Sequence, residues 1–247
     1  MNARAVRGAH RAVRRVGLML TALLMCMGGT VEPARAQESL DATMEALTTI
    51  RDSFVAKAKA AGLKCGVEPP KIVLTDIASF GNYDEDTNTV QNPAWTQLSD
   101  DERQVFFRLA GPGSDDLAAQ RTFERGVHHW VFVHELGHWT QKCAGTLKSG
   151  GHYATEYGAN RIAAAYWREE NPSLMARLAT SFQQMLDGRP SPVPAGQAVE
   201  DYFNAHYSEL TKTPVYTWFE AKMVSDVNAE TPQPTFAQVL SGSNLKR

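Results

Sequence analysis

Apolar and polar residues change their spacing several times along this chain, and each change marks an element. Over residues 38–62 the apolar positions recur at helical spacing, and Gly62 closes the run. After Pro69 and Pro70, the stretch KIVLTDI is a short β-type run. In SFGNYDEDTNTVQNP a few apolar residues are punctuated by Asn, Asp and Gly, which predicts a hairpin with Tyr83 and Val90 on its two arms. SDDERQVFFRLAG opens a helix at a Ser/Asp cap and stops it at Gly111–Gly113.

A helix over roughly 118–143 follows, then a loop rich in Lys, Ser and Gly. Another runs from about Tyr153 to Glu170 and ends before Asn171–Pro172. Helices also fit 173–187, 197–210 and 215–228, with DGRPSPVPAG as a rigid proline loop between two of them. There is no internal repeat and no low-complexity tract. Strands come early and helices dominate afterwards. The expected fold is therefore α+β: mostly helical, with a small antiparallel or mixed β-sheet or hairpin before the 118–143 helix.

The N-terminus changes what the chain is expected to be in the cell. MNARAVRGAHRAVRR carries five arginines and no acid, VGLMLTALLMCMGGTV is a short apolar core, and ARA precedes Gln37. This is the pattern of a secretory signal peptide over residues 1–36, with a core too short to stay as a membrane anchor. Arg14–Arg15 leaves both the general and the twin-arginine export routes open. Residues 37–247 then form a single domain in the periplasm or outside the cell. Losing the leader removes six arginines and Glu32, so the remaining chain is more acidic than the whole-chain charge of −2. That balance argues against nucleic acid and anionic membranes as partners. Two cysteines remain, Cys65 and Cys143, and an oxidising compartment lets them pair.

The candidate chemistry lies in VFVHELGHW. On a helix, residues four apart share a face, so His134 and His138 can aim two imidazoles at one point. Zinc accepts neutral imidazole nitrogen and favours four ligands. Glu135, beside the first histidine, can act as general base toward a water in the remaining position. Val131, Phe132, Val133, Leu136 and Trp139 surround these polar groups, and charged groups among apolar neighbours are costly unless paired or metal-bound. Gly137 inside a helix costs up to about 1 kcal/mol relative to Ala, which calls for a close approach by another segment or a substrate.

HYATEYGANRIAAAYW supplies a third ligand, Glu156, with Asn160 one turn later to accept a hydrogen bond from a ligating histidine. Ala159, Ala163, Ala164 and Ala165 let this helix pack close to the first. His128 and His129 point away from the His134/His138 face, while His152 is an alternative ligand or a substrate contact.

HELGH followed by EYGAN resembles the gluzincin group of zinc peptidases, in which a metal-binding glutamate follows HExxH in an ExxAN or ExxAD setting. HELGHWT with YATE also resembles small zincin-like metallopeptidase domains. The likeness covers Thr122 to Trp167 and, more loosely, FGNYDEDTNTV. It implies one Zn2+ held by His134, His138 and Glu156, with Glu135 as catalytic base. Asn160 matches a position where many members carry Asp, and a neutral amide raises ligand basicity less. The metzincin branch is excluded, because it needs Gly at 141 and a ligand at 144, where this chain has Gln141 and Ala144.

These residues lead to an exported zinc metallopeptidase that acts on a peptide or protein substrate, an extended chain pairing with an edge strand of the hairpin. The candidates for stabilising the oxyanion are Tyr202, His206, Tyr207 and Tyr216. Two other readings of the same residues are an exported zinc-binding domain that recognises a partner without catalysis, and a metal-dependent hydrolase of a non-peptide amide or ester. Trp218, Phe219 and Met223 are spaced as core residues.

Overall fold

A computed structural model describes residues 31–242, with side chains from residue 40 onward. The expected leader therefore lies outside the described residues, except that residues 31–36 continue the first helix. That helix, α1, spans Val31–Ala60. Leu47, Phe54, Val55 and Ala58 line its buried face. The Leu63 N–H bonds back to the Ala58 carbonyl at 2.9 Å, closing the helix near the expected Gly62.

Three short strands follow: β1 (Lys71–Leu74), β2 (Asn82–Asp84) and β3 (Thr89–Asn92). The expected hairpin forms, with Tyr83 opposite Val90 in the antiparallel β2–β3 pair. The Asp84 carboxylate shapes its turn by accepting from the Asp86 and Thr87 N–H groups at 2.9 and 3.2 Å. β1 pairs parallel to β3, so the order is β1-β3-β2 and the sheet is mixed. The hairpin was legible from its turn residues. The parallel partner was not, because the chain between β1 and β3 contains β2 itself.

Helix α2 (Asp100–Ala110) starts at Ser99, whose hydroxyl caps the Glu102 N–H while Glu102 reaches back to Ser99. The helix expected over 118–143 runs from 116 to 144, but it is not uniform. Its first part, α3 (Asp116–Phe123), passes through a π-helical stretch (Glu124–Val131) before α4 (Phe132–Ala144). A wider turn rotates each residue less about the axis, so a uniform 100° step misplaces side chains across this stretch.

His128 is buried and its Nε2 meets the Pro93 carbonyl at 2.9 Å. His129 Nδ1 meets the Glu124 carbonyl at 2.8 Å. Then come α5 (Gly151–Glu170), α6 (Pro172–Leu186), α7 (Val199–Leu210) and α8 (Tyr216–Ala229), each within two residues of its expected bounds. A further helix, α9 (Phe236–Leu240), was not anticipated. It is one turn long, and it is held by Phe236 packing its ring on Phe54 and Tyr166.

The core sits between α4, α5 and α8, with α1 and the sheet on α4. Phe219 and Met223 are fully buried there, as their spacing predicted, while Trp218 is half-buried and packs against the core. Cys65 and Cys143 lie at disulfide distance, with Cα atoms 4.8 Å apart, and tie the loop after α1 to the end of α4. The Trp139 indole donates to the Glu68 carbonyl beside them. Among the described residues no helix is long and apolar enough to cross a membrane.

The backbones of α4 and α5 approach closely at Gly137. A Cβ built on Gly137 would stand 3.1 Å from the Ala159 Cα and 3.2 Å from its carbonyl oxygen. The obstacle is backbone, which cannot swing aside. Gly137→Ala is thus expected to destabilise the protein by about 1–3 kcal/mol in denaturant unfolding, although an unobstructed helix Gly→Ala would stabilise it by up to about 1 kcal/mol. A variant as stable as wild type would show that the helices can separate freely.

Candidate metal centre

Consecutive turns of α4 carry His134 and His138, and α5 brings Glu156 up to them. His134 Nε2 lies 3.1 Å from Glu156 Oε2, and His138 Nε2 lies 3.3 Å from the same oxygen. The three candidate ligand atoms all fall within 4.8 Å of one another. Both imidazoles are held from behind. Asn160 Oδ1 accepts from His134 Nδ1 at 2.9 Å, and Gln141 Oε1 accepts from His138 Nδ1 at 2.8 Å. The amide orientations follow from their other ends: Asn160 Nδ2 donates to Glu220, and Gln141 Nε2 donates to the Thr155 carbonyl. With their Nδ1 protons committed, both histidines turn Nε2 toward a carboxylate oxygen, the position that either a second proton or a metal ion can fill.

Three acceptors so close together need positive charge between them, either protons or a metal ion. The spacing suits a metal. A tetrahedral site with bonds of about 2.1 Å places its ligand atoms about 3.4 Å apart, close to the two separations found. His134 and Glu156 are buried and His138 is half-buried, so an ion there would be reached from solvent on the His138 side. These residues can hold a metal ion.

Glu135 is buried beside them, and its Oε2 accepts from the Tyr83 backbone N–H at 2.8 Å. Gly81 makes this approach possible. A Cβ there would fall 2.3 Å from Val131 Cγ1 and 3.3 Å from Glu135 Cγ. The start of β2 can therefore lie against α4 at the glutamate. β2 is an edge strand, as expected, but the Tyr83 N–H is committed to Glu135 and not open to a substrate backbone.

Of the four candidate oxyanion donors, Tyr207 reaches the cluster: its hydroxyl donates to Glu156 Oε1 at 3.1 Å. Tyr216 stands next to it, ring centroids 6.3 Å apart. Tyr202 instead packs on His206 and Phe219, and His206 pairs with Glu209. His152 is not among the clustered ligands. It stacks on the Tyr207 ring at 3.8 Å and so borders the site.

Three participants went unseen in the sequence. Gln141 had a usable signal, since it lies three residues after His138 on the same helix face. Glu220 is 60 residues from Asn160 and had none. The Tyr83 contribution is a backbone group, which no residue type announces. Compared with protein-family models, curated proteins and solved structures, the chain matches none.

The electrostatics follow from the same contacts. Burial alone would lower the His134 pKa, but the hydrogen bond to Glu156 and the charges of Glu135 and Glu156 outweigh it and raise it to about 10. His138 moves up as well, against the same burial effect, because of Glu156. Glu156 moves the opposite way. Burial would raise it, but the His138 charge and the bonds to both histidines hold it well below the usual carboxylate range.

In the metal-free protein these opposed shifts define a pH window. The raised His134 contributes stability that is complete below its unfolded value of 6.5 and is lost as pH climbs through about 10. The depressed Glu156 contributes stability that is present above 4.5 and is lost as pH falls. After chelation, the melting-temperature advantage of wild type over Glu156→Gln should therefore be largest between pH 4.5 and 6.5. It should shrink on both sides. An advantage that does not vary with pH would mean the cluster carries no such ion pair.

Proposed function

We propose that this chain is an exported, zinc-dependent metallopeptidase with a zincin-like active site. The observation that carries the reading is the convergence of His134, His138 and Glu156 with the buried carboxylate of Glu135 beside them. Two imidazoles and a carboxylate suit zinc, although other divalent ions accept the same donors. Bound zinc supplies Lewis-acid polarisation of the scissile carbonyl and a lowered pKa for the attacking water.

The rest of the chemistry belongs to the chain. Tyr83 holds Glu135 Oε2 in place, which leaves Oε1 to take the proton of the water and later pass it to the leaving amine. Asn160 and Gln141 keep the Nδ1 protons on the two histidines and so keep both Nε2 atoms available as ligands. Burial, together with the charge of Glu156, raises the Tyr207 pKa, so its hydroxyl keeps its proton at neutral pH. It can then turn from Glu156 to donate to the developing oxyanion.

One observation favours a second reading, a zinc-binding recognition domain without turnover. The Tyr207 hydroxyl and the Tyr83 N–H are both already bonded within the site. A peptide-library assay with matched metal analysis separates the two. Glu135→Gln should keep its zinc and lose cleavage by about 10²-fold or more. Tyr207→Phe should also keep zinc while kcat falls by about 10²-fold. Undiminished cleavage by Glu135→Gln would remove the mechanism, and a zinc-loaded wild type that cleaves nothing would favour the recognition domain.

Export is part of the proposal. It is supported by the leader-like residues 1–36 and by the disulfide-distance pair Cys65–Cys143, which suits an oxidising compartment. The chain recovered from periplasm or medium is expected to begin at Gln37. Recovery with residues 1–36 intact would contradict signal cleavage.

A further inference from the structure

Each ligand histidine is backed by a neutral amide, but the two amides end differently. Behind His138, Gln141 donates to a backbone carbonyl, that of Thr155, at 2.8 Å. Behind His134, Asn160 donates to the side-chain carboxylate of Glu220, Oε2, at 3.1 Å. Glu220 stands in the first turns of α8, which packs against α5.

The surroundings of Glu220 give it little reason to be charged for the sake of the fold. Its Oε1 is enclosed without a hydrogen-bond partner, and no basic side chain forms an ion pair with it among the described residues. Its described neighbours are Asn160, the Tyr216 hydroxyl and, through space, the charges of His134 and Glu156. A carboxylate with one oxygen enclosed and unpaired is costly by itself. That cost is offset when positive charge arrives at His134, because an amide that donates to a carboxylate presents a more negative oxygen to its own donor.

We propose that Glu220 is a positioning residue which, acting through Asn160, polarises His134 and tightens metal binding. A side-chain acid at position 160 would charge the ligand directly. Here the charge sits one side chain further out, and the amide carries it inward. The inference rests on the metal reading of His134, His138 and Glu156.

The test compares zinc affinity, measured by chelator competition on the full mature chain, across three proteins. Glu220→Gln keeps the shape and removes the charge, and zinc affinity should fall by about 10- to 100-fold. The cobalt(II) absorption spectrum should stay that of wild type, showing an unchanged ligand set. Adding Asn160→Asp to Glu220→Gln returns a charge to the His134 side and should recover most of the loss, which a purely structural role for Glu220 would not allow.

Equal affinity in wild type and Glu220→Gln overturns the proposal, and so does a loss that Asn160→Asp fails to repair. If Glu220→Gln does not fold, Glu220→Asp takes its place: shortened by one methylene, it should weaken zinc binding, and wild-type affinity overturns the relay. A wild type that binds no zinc overturns the metal site itself, an outcome distinct from a zinc-binding protein indifferent to Glu220.

Discussion

The approach of α4 to α5 at Gly137 and Ala159 governs the rest of the site. With 3.1 Å between a hypothetical Cβ and the Ala159 Cα, the helices are as close as backbones with small side chains allow. Only at that distance can a glutamate from α5 meet the imidazoles of His134, one turn before Gly137, and His138, directly after it. The same proximity lets Asn160 and Gln141 reach across or along the helices to the far sides of the rings. A longer side chain at 137 or 159 would spread the ligand atoms before it changed any of them.

Close packing also explains why the cluster is electrostatically demanding. Two imidazoles and a carboxylate share one enclosed volume, with Glu135 beside them and Glu220 behind. In that low-dielectric setting, positive charge must be supplied at the Nε2 atoms, by protons or by a cation. The opposed shifts of His134 and Glu156 express this need. A divalent ion meets it without protonating the ligands, so metal and protons compete for the same place. The two backing chains end differently, one on a carbonyl and the other on a carboxylate.

The peripheral elements serve the same centre. The hairpin brings a backbone donor to Glu135 because Gly81 lets β2 lie against α4. The π-helical stretch before α4 shifts the helical phase, and within it His128 is buried with its Nε2 against the Pro93 carbonyl. α7 delivers Tyr207, whose ring is held between His152 and Phe203 and whose hydroxyl meets Glu156.

Much of this was readable before any coordinates. Caps, turn residues and periodicity are local, and they placed the hairpin, α2, α5 and the later helices to within a few residues. The pair His134 and His138 was readable too, since one helix turn dictates their common face. Glu156 and Asn160 could be nominated together for the same reason, one turn apart on a single helix. What periodicity could not supply was any relation between elements. The π-helical phase shift, the parallel β1–β3 pairing and the one-turn α9 depend on partners distant in sequence. So do the Tyr83 N–H at Glu135 and Glu220 behind Asn160. Sequence spacing along one helix determines which side chains share a face, whereas the meeting of two faces is decided by close packing of the whole chain.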